Sequence, residues 1–229
     1  MAPALLATQS SLLSGHPLVG CSTGYMESER EEWDQLVVEA AAVSGVVAEL
    51  SALSERELPS LVKFFAGDPQ LPFRYLSVHG PSKGRRLPER DLANVLAGLP
   101  RWIDAIVMHP DTIDDAECYR PIGRRLVLEN MDARKDAGRT VQELEPLFEA
   151  LPDAGLCFDI AHAKSVDQTM DEGEAILGRY GSRLRHVHLS SLDEDSHHVP
   201  LSPADEELYS PLLQKCRDVP WILEAPAAS

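Results

Sequence analysis

Long apolar runs are missing from this chain. Its hydrophobic stretches are short and broken by glycine, proline or charge, which argues against a helix of the roughly 20 apolar residues that spans a membrane. The N-terminal MAPALLATQSSLLSGHP lacks both the basic start and the continuous apolar segment of a secretion signal. Cysteine is scarce as well. Cys21, Cys118, Cys157 and Cys216 lie far apart with no CxxC pair, so neither a disulfide framework nor a thiolate zinc site is expected, and a reducing cytoplasm is the expected location. Positive charge is in short supply: 21 Lys and Arg stand against 37 Asp and Glu, a net charge of −16. That balance opposes long-range attraction to nucleic acid, which is not an expected partner. No G-x-G-x-x-G follows the first apolar run, so no nucleotide cofactor is expected either.

What is present is a regular alternation. PLVGCS, VVAEL, RYLSVHG, AIVMHP, RLVLEN, GLCFDIAH, LRHVHLS and WILEAP read as strands. Between them lie helix-start signals: the boxes Ser28/Glu31, Ser54/Glu57, Thr140/Glu143 and Thr169/Glu172, and Ser202 followed by Pro203. Trp33, Leu36, Val37, Ala40 and Ala41 form the stripe of a helix with one buried face, and Leu208, Leu212 and Leu213 point inward from another. Strands alternating with helices pair in parallel, and eight such units close most economically into a (β/α)8 TIM barrel; an open doubly wound sheet is the alternative. The 229 residues are read as one domain, with residues 1–15 an N-terminal extension and 16–226 the barrel. Five residues follow Glu224, so the eighth helix is expected to be absent. Residues around 3–14 or the second subunit of a homodimer would then cover the last strand, and the sequence does not choose between them.

Polar residues are costly in the middle of a buried parallel strand, but at its C-terminal end they face the mouth of the barrel. Six successive runs finish there in His79, His109, Glu129, Asp159, His188 and Glu224, and His162 follows Asp159 by three residues. Singly, His79 or His109 reads as a loop residue or a satisfied imidazole, Glu129 as a helix cap and Glu224 as the partner of an arginine. Six such ends in a row would be rare by chance if about a quarter of residues were of these types. Convergent imidazole and carboxylate suit a divalent cation, Zn2+ or Mn2+.

The same segments carry a resemblance. LVLEN, GLCFDIAH, HVHLS, HHVPL and ILEAP resemble successive motifs of the xylose-isomerase-like TIM barrels, a superfamily containing sugar and sugar-phosphate isomerases or epimerases and the apurinic-site endonucleases related to endonuclease IV. VMHP and Glu49, at the end of the second strand, fit too, and the resemblance spans about residues 17–226. It implies a divalent ion (Mn2+, Zn2+ or Mg2+) held by Glu129, Asp159, His188 and Glu224, with His162 beside the substrate. The endonuclease branch implies three zinc ions and would add His79, His109, His162, Asp195 and one of His197 or His198. The G-E-G usual after that loop is missing, since this chain reads LSPADE.

Two chemistries are therefore expected at one place. The favoured reading is an isomerase or epimerase of a small sugar or sugar phosphate, with Glu129 and Glu224 moving a proton through an enediolate and His162 orienting a hydroxyl. Lys83, Arg85, Arg86, Arg134, Lys135 and Lys164 are candidates to hold a phosphate, although each alone reads as a solvated loop cation. The alternative is a zinc-dependent hydrolase of the endonuclease IV-like type, acting on a small phosphodiester or apurinic DNA, with His79 and His109 as ligands; a barrel kept only for binding is a third reading. His186, two residues before His188, is expected to be a hydrogen-bonded packing residue.

Overall fold

The computed structural model describes residues 11–26 and 30–226. Ser28, and with it the first predicted helix-start box, lies outside the described residues, as do residues 1–10 of the N-terminal segment. Eight parallel strands close into a barrel. In chain order they are β1 (Val19–Ser22), β2 (Val47–Ser51), β3 (Tyr75–His79), β4 (Ala105–Met108), β5 (Leu126–Glu129), β6 (Gly155–Asp159), β7 (Leu184–Leu189) and β10 (Trp221–Leu223). The last, β10, pairs with both β7 and β1. Two short strands, β8 (Ser191–Leu192) and β9 (His198–Val199), form a separate antiparallel hairpin above β7. The TIM barrel expected from the alternation is therefore the fold.

Helices α2 (Trp33–Val43), α3 (Leu58–Ala66), α4 (Glu89–Ala97), α5 (Val141–Ala150), α6 (Ile160–Val166), α7 (Asp171–Tyr180) and α8 (Pro203–Lys215) fill the connections, and a short α1 (Ser11–Ser14) precedes β1. Trp33, Leu36 and Ala40 form the buried face of α2, as their spacing predicts. Ser202 and Thr140 cap α8 and α5 by accepting from Asp205 N and Glu143 N. Two other predicted starts are displaced. Helix α3 begins at Leu58, and Ser54 instead donates to the Glu57 carboxylate. Helix α7 begins after Met170, which has φ 67°, while Asp167 accepts from Glu172 N. Between β4 and β5 there is no α-helix. Pro121, which lacks an N–H, and Gly123, at φ 63°, confine Ala116–Arg125 to 3-10 turns. Before β1, the His16 ring packs against Trp221 of β10 with the ring centres 4.0 Å apart and the planes tilted by 49°.

The register decides which side chains enter the barrel, because paired residues of parallel strands share a face. Glu49 pairs with Ser77, Glu129 with Cys157, and Asp159 with His188. A bulge between Leu156 and Cys157 skips Arg185, so His186 and His188 lie opposite Cys157 and Asp159. The large apolar cluster sits between strands and helices, while Ala105, Val107, Val127 and Cys157 pack inside the barrel with Tyr75 against them. Above that small apolar floor, the inward positions carry histidine and carboxylate.

Candidate metal centre

Three donor groups converge at the C-terminal mouth. The first is His79, His109 and Glu129; the second is Glu129, Asp159, His188 and Glu224; the third is Asp159, His162 and His198. Within each group the donor atoms lie within 4.8 Å of one another. In the first group the His109 and His79 Nε2 atoms are 3.1 Å apart, and both stand 3.2–3.3 Å from Glu129 Oε2. Zinc holding nitrogen and oxygen ligands at about 2.0–2.1 Å in a tetrahedron separates them by roughly 3.3 Å. The triangle matches that spacing. The other oxygen of Glu129 faces His188 Nδ1 at 3.2 Å and His162 Nδ1 at 3.4 Å, so one carboxylate joins two groups. Glu224 Oε1 lies 3.3 Å from His188 Nδ1, and Glu224 Oε2 lies 3.4 Å from His198 Nδ1.

Supporting contacts orient these donors. His79 Nδ1 lies 2.8 Å from Gly80 O; its N–H donates there and leaves Nε2 free to face Glu129. Asn130 holds Asp159 at both ends of its backbone: Asn130 Nδ2 donates to Asp159 O, and Asp159 N donates to Asn130 Oδ1, each at 2.8 Å. Ser190 Oγ and His198 Nδ1 are 2.7 Å apart. Asn130 and Ser190 were not singled out from the sequence, although Asn130 directly follows a strand-end glutamate and so carried a readable signal.

Charge makes the same point as distance. Glu49, Glu129 and Asp159 are almost wholly buried, Glu224 is partly so, and none of the four pairs with lysine or arginine among the described residues. Each buried carboxylate costs several kcal/mol unless compensated. Asp159 Oδ2 and Glu224 Oε2 are buried and accept no hydrogen bond. Burial works to raise Glu129, but His188 and His109 hold it well below the usual carboxylate range. Glu224 goes the other way, raised by burial and by the carboxylates of Asp159 and Glu129. His188 rises despite burial because Cys157, Glu224, Glu49 and Glu129 surround it, whereas burial lowers His198 to about 4. A donor set with unpaired acid oxygens and convergent imidazoles fits divalent cations.

Several predicted site residues stand elsewhere. Glu49 is not at the end of β2 but at its middle, beneath the centre, where the register sets it beside Ser77 and it joins none of the three groups. Asp195 is exposed, and its backbone rather than its side chain is engaged: its carbonyl accepts from Arg134 and its N–H donates to the Asp193 carboxylate. The turn at Ser196, with φ 58°, and the pairing of Leu192 with His198 point His198 inward; the His197 side chain is 72 % exposed, pairs with Asp193 and reaches the wall of the cavity over the centre but joins none of the three groups. Among the predicted phosphate contacts, Lys83, Arg134 and Lys135 line the cavity of about 620 Å3 over the centre. Arg85 is turned away to Thr112 O and Tyr119, Arg86 is exposed outside the cavity, and Lys164 pairs with Asp205. His186 is fully buried with Nδ1 2.8 Å from the Tyr75 hydroxyl.

The family model for the xylose isomerase-like TIM barrel matches residues 74–226. The chain belongs to that family. Solved structures share the fold of this xylose isomerase-like barrel at low identity. AP endonuclease, family 2, from Brucella melitensis is 13 % identical with a TM-score of 0.54, over 91 % of this chain and 92 % of that one. A structure of the IolI protein with a binding zinc atom is 11 % identical with a TM-score of 0.58, over 92 % and 88 %. The structure of AsfvAP:AG is 14 % identical with a TM-score of 0.57, over 94 % and 93 %. No curated protein matches by sequence. Among the described residues no helix is long and apolar enough to cross a membrane.

Proposed function

We propose that this barrel is a divalent-metal-dependent enzyme holding more than one ion, and that it hydrolyses a phosphoester bond of a small substrate. One observation carries the reading: the His79, His109 and Glu129 triangle, with edges of 3.1–3.3 Å, beside a second donor group that shares Glu129. Sugar isomerisation needs only the Glu129, Asp159, His188 and Glu224 set. It would leave His79 and His109 of the triangle without a task.

Ions in these groups would supply Lewis acidity, acidifying water and neutralising charge on a phosphoryl oxygen. The chain's own part is positional. Glu129, through its two oxygens, fixes the distance between the groups. His198, held by Ser190, brings a neutral imidazole to the mouth. Arg134 and Lys135 are anchored by Asp132 and Asp111, while Lys83 makes no ion pair among the described residues and is the rim cation left to meet an anionic substrate. A cavity of about 620 Å3 and a net charge of −16 favour a small anion over a nucleic-acid duplex.

Isomerisation or epimerisation of a sugar or sugar phosphate is the second reading. It is favoured by Glu129 and Glu224, which stand 3.2 and 3.3 Å from the same His188 Nδ1 and so share one site as a carboxylate pair. Metal counting on protein purified without chelator separates the two, paired with assays of bis(p-nitrophenyl) phosphate cleavage and of solvent deuterium exchange into ketoses. Two or three ions per chain with chelator-sensitive cleavage are the expected result. One ion per chain with deuterium exchange and no cleavage would overturn the hydrolase in favour of the isomerase.

A further inference from the structure

We infer that Glu49 is a positioning residue for the metal centre: it accepts from His188 Nε2–H and so turns His188 Nδ1 toward the ion held with Glu129, Asp159 and Glu224. The inference rests on the metal-centre reading above and adds a residue that touches no ion itself.

Glu49 is the third of the five residues of β2, wholly inaccessible, at a level where the barrel interior is otherwise filled by Val107, Val127, Ala105 and Cys157. A barrel built only for stability places branched apolar side chains there. A carboxylate in such surroundings costs several kcal/mol, so its presence calls for specific partners. It has two. Ser77 Oγ donates to Glu49 Oε2 at 2.8 Å, and His188 Nε2 stands 3.2 Å from the same oxygen. The imidazole of His188 is thus strung between Glu49 below and Glu129 with Glu224 above, at 3.2, 3.2 and 3.3 Å. A neutral imidazole has one N–H. Glu49 can only accept, so the proton sits on Nε2 and the Nδ1 lone pair is directed at the upper carboxylates. A carboxylate behind a metal-bound histidine fixes the tautomer and raises the basicity of the ligand.

A rival use of the same residues is a deeper ion between Cys157, His186 and His188, whose donor atoms also lie within 4.8 Å. It is the weaker reading because His188 Nε2 already points at Glu49 and His186 Nδ1 is already taken by the Tyr75 hydroxyl at 2.8 Å.

Zinc titration of metal-free protein against a chromophoric chelator, with the 15N and Nε2–H resonances of His188 followed by NMR, tests the inference. Glu49→Gln keeps the shape and removes the charge; it is expected to weaken zinc binding about 10-fold or more and to shift the Nε2–H resonance, with the metal-free melting temperature held or raised. Ser77→Ala should weaken binding less. Unchanged zinc affinity in Glu49→Gln with an unshifted His188 Nε2–H would overturn the inference while leaving the metal centre intact. Outright loss of one ion in Glu49→Gln would make Glu49 a ligand and overturn it too. Wild-type protein that binds no zinc would overturn the metal-centre reading itself.

Discussion

Glu129 carries more of the centre than any other side chain, because its two oxygens serve different neighbours: Oε2 faces His79 and His109, and Oε1 faces His188 and His162. A substitution at the first pair should therefore be separable from one at Glu129. His109→Ala is expected to lower metal content by one ion per chain and leave the Glu129, Asp159, His188 and Glu224 group loaded. Turnover should fall about 100-fold or more, because a catalytic ion contributes several kcal/mol to the transition state and each 1.36 kcal/mol is tenfold. Glu129→Gln should reduce occupancy at both places. Elemental analysis beside steady-state assay checks both variants, and full metal content in His109→Ala would remove the first group from the proposal. Residues at strand ends were legible in the sequence because strand direction alone puts them at the mouth. Asp195 and His197 were not, since a loop side chain points inward or outward according to hairpin pairing and a single positive φ at Ser196, which spacing does not encode.

At the scale of elements, the strands were legible because continuous apolar runs between charged segments have few other readings, and the closed barrel followed from their alternation with helices. Helix starts were less so. Serine or threonine followed three residues later by glutamate also describes a turn closed by side-chain hydrogen bonds, which is what Ser54 and Glu57 form. Lys164 shows how an element contact displaces a substrate contact. Together with Ser191 and Ser202 it binds Asp205, tying α6 and β8 to the first turn of α8. Burial works to raise Asp205, but these three partners hold it below the usual carboxylate range. A depressed acid stabilises the fold above its unfolded value, near 3.9, and loses that contribution as pH falls through the lower folded value. Asp205→Asn should then cost about 1–3 kcal/mol at pH 7, with the gap to wild type closing below about pH 4. Urea unfolding at pH 7 and pH 3.5 reads this directly, and a gap that stays constant across the two would show that the charge on Asp205 contributes nothing.

For the whole molecule, the three donor groups gather side chains from β3 and β5, from β6 and β7, and from the segments that follow β4, β6 and β10, together with the hairpin above β7. Ions there would brace one half of the barrel circumference to the other. Binding to the folded state alone stabilises by about 2.7 kcal/mol when free metal is 100 times its Kd. For a chain of this size each kcal/mol moves the melting temperature by about 2–4 °C, so stripping the metal should lower it by roughly 5–10 °C. The drop should depend on pH with a definite sign. Without metal, the raised values of His79, His188 and Glu224 mean that these groups hold protons that ligation must displace. Metal binding therefore releases protons and tightens as pH rises. Scanning calorimetry with zinc and with chelator at pH 6 and pH 8 should show the interval between the two melting temperatures widen at the higher pH. An interval near zero at both would mean that the carboxylates are compensated by histidine alone, and a wider interval at pH 6 would mean that the donors do not lose their protons to the metal.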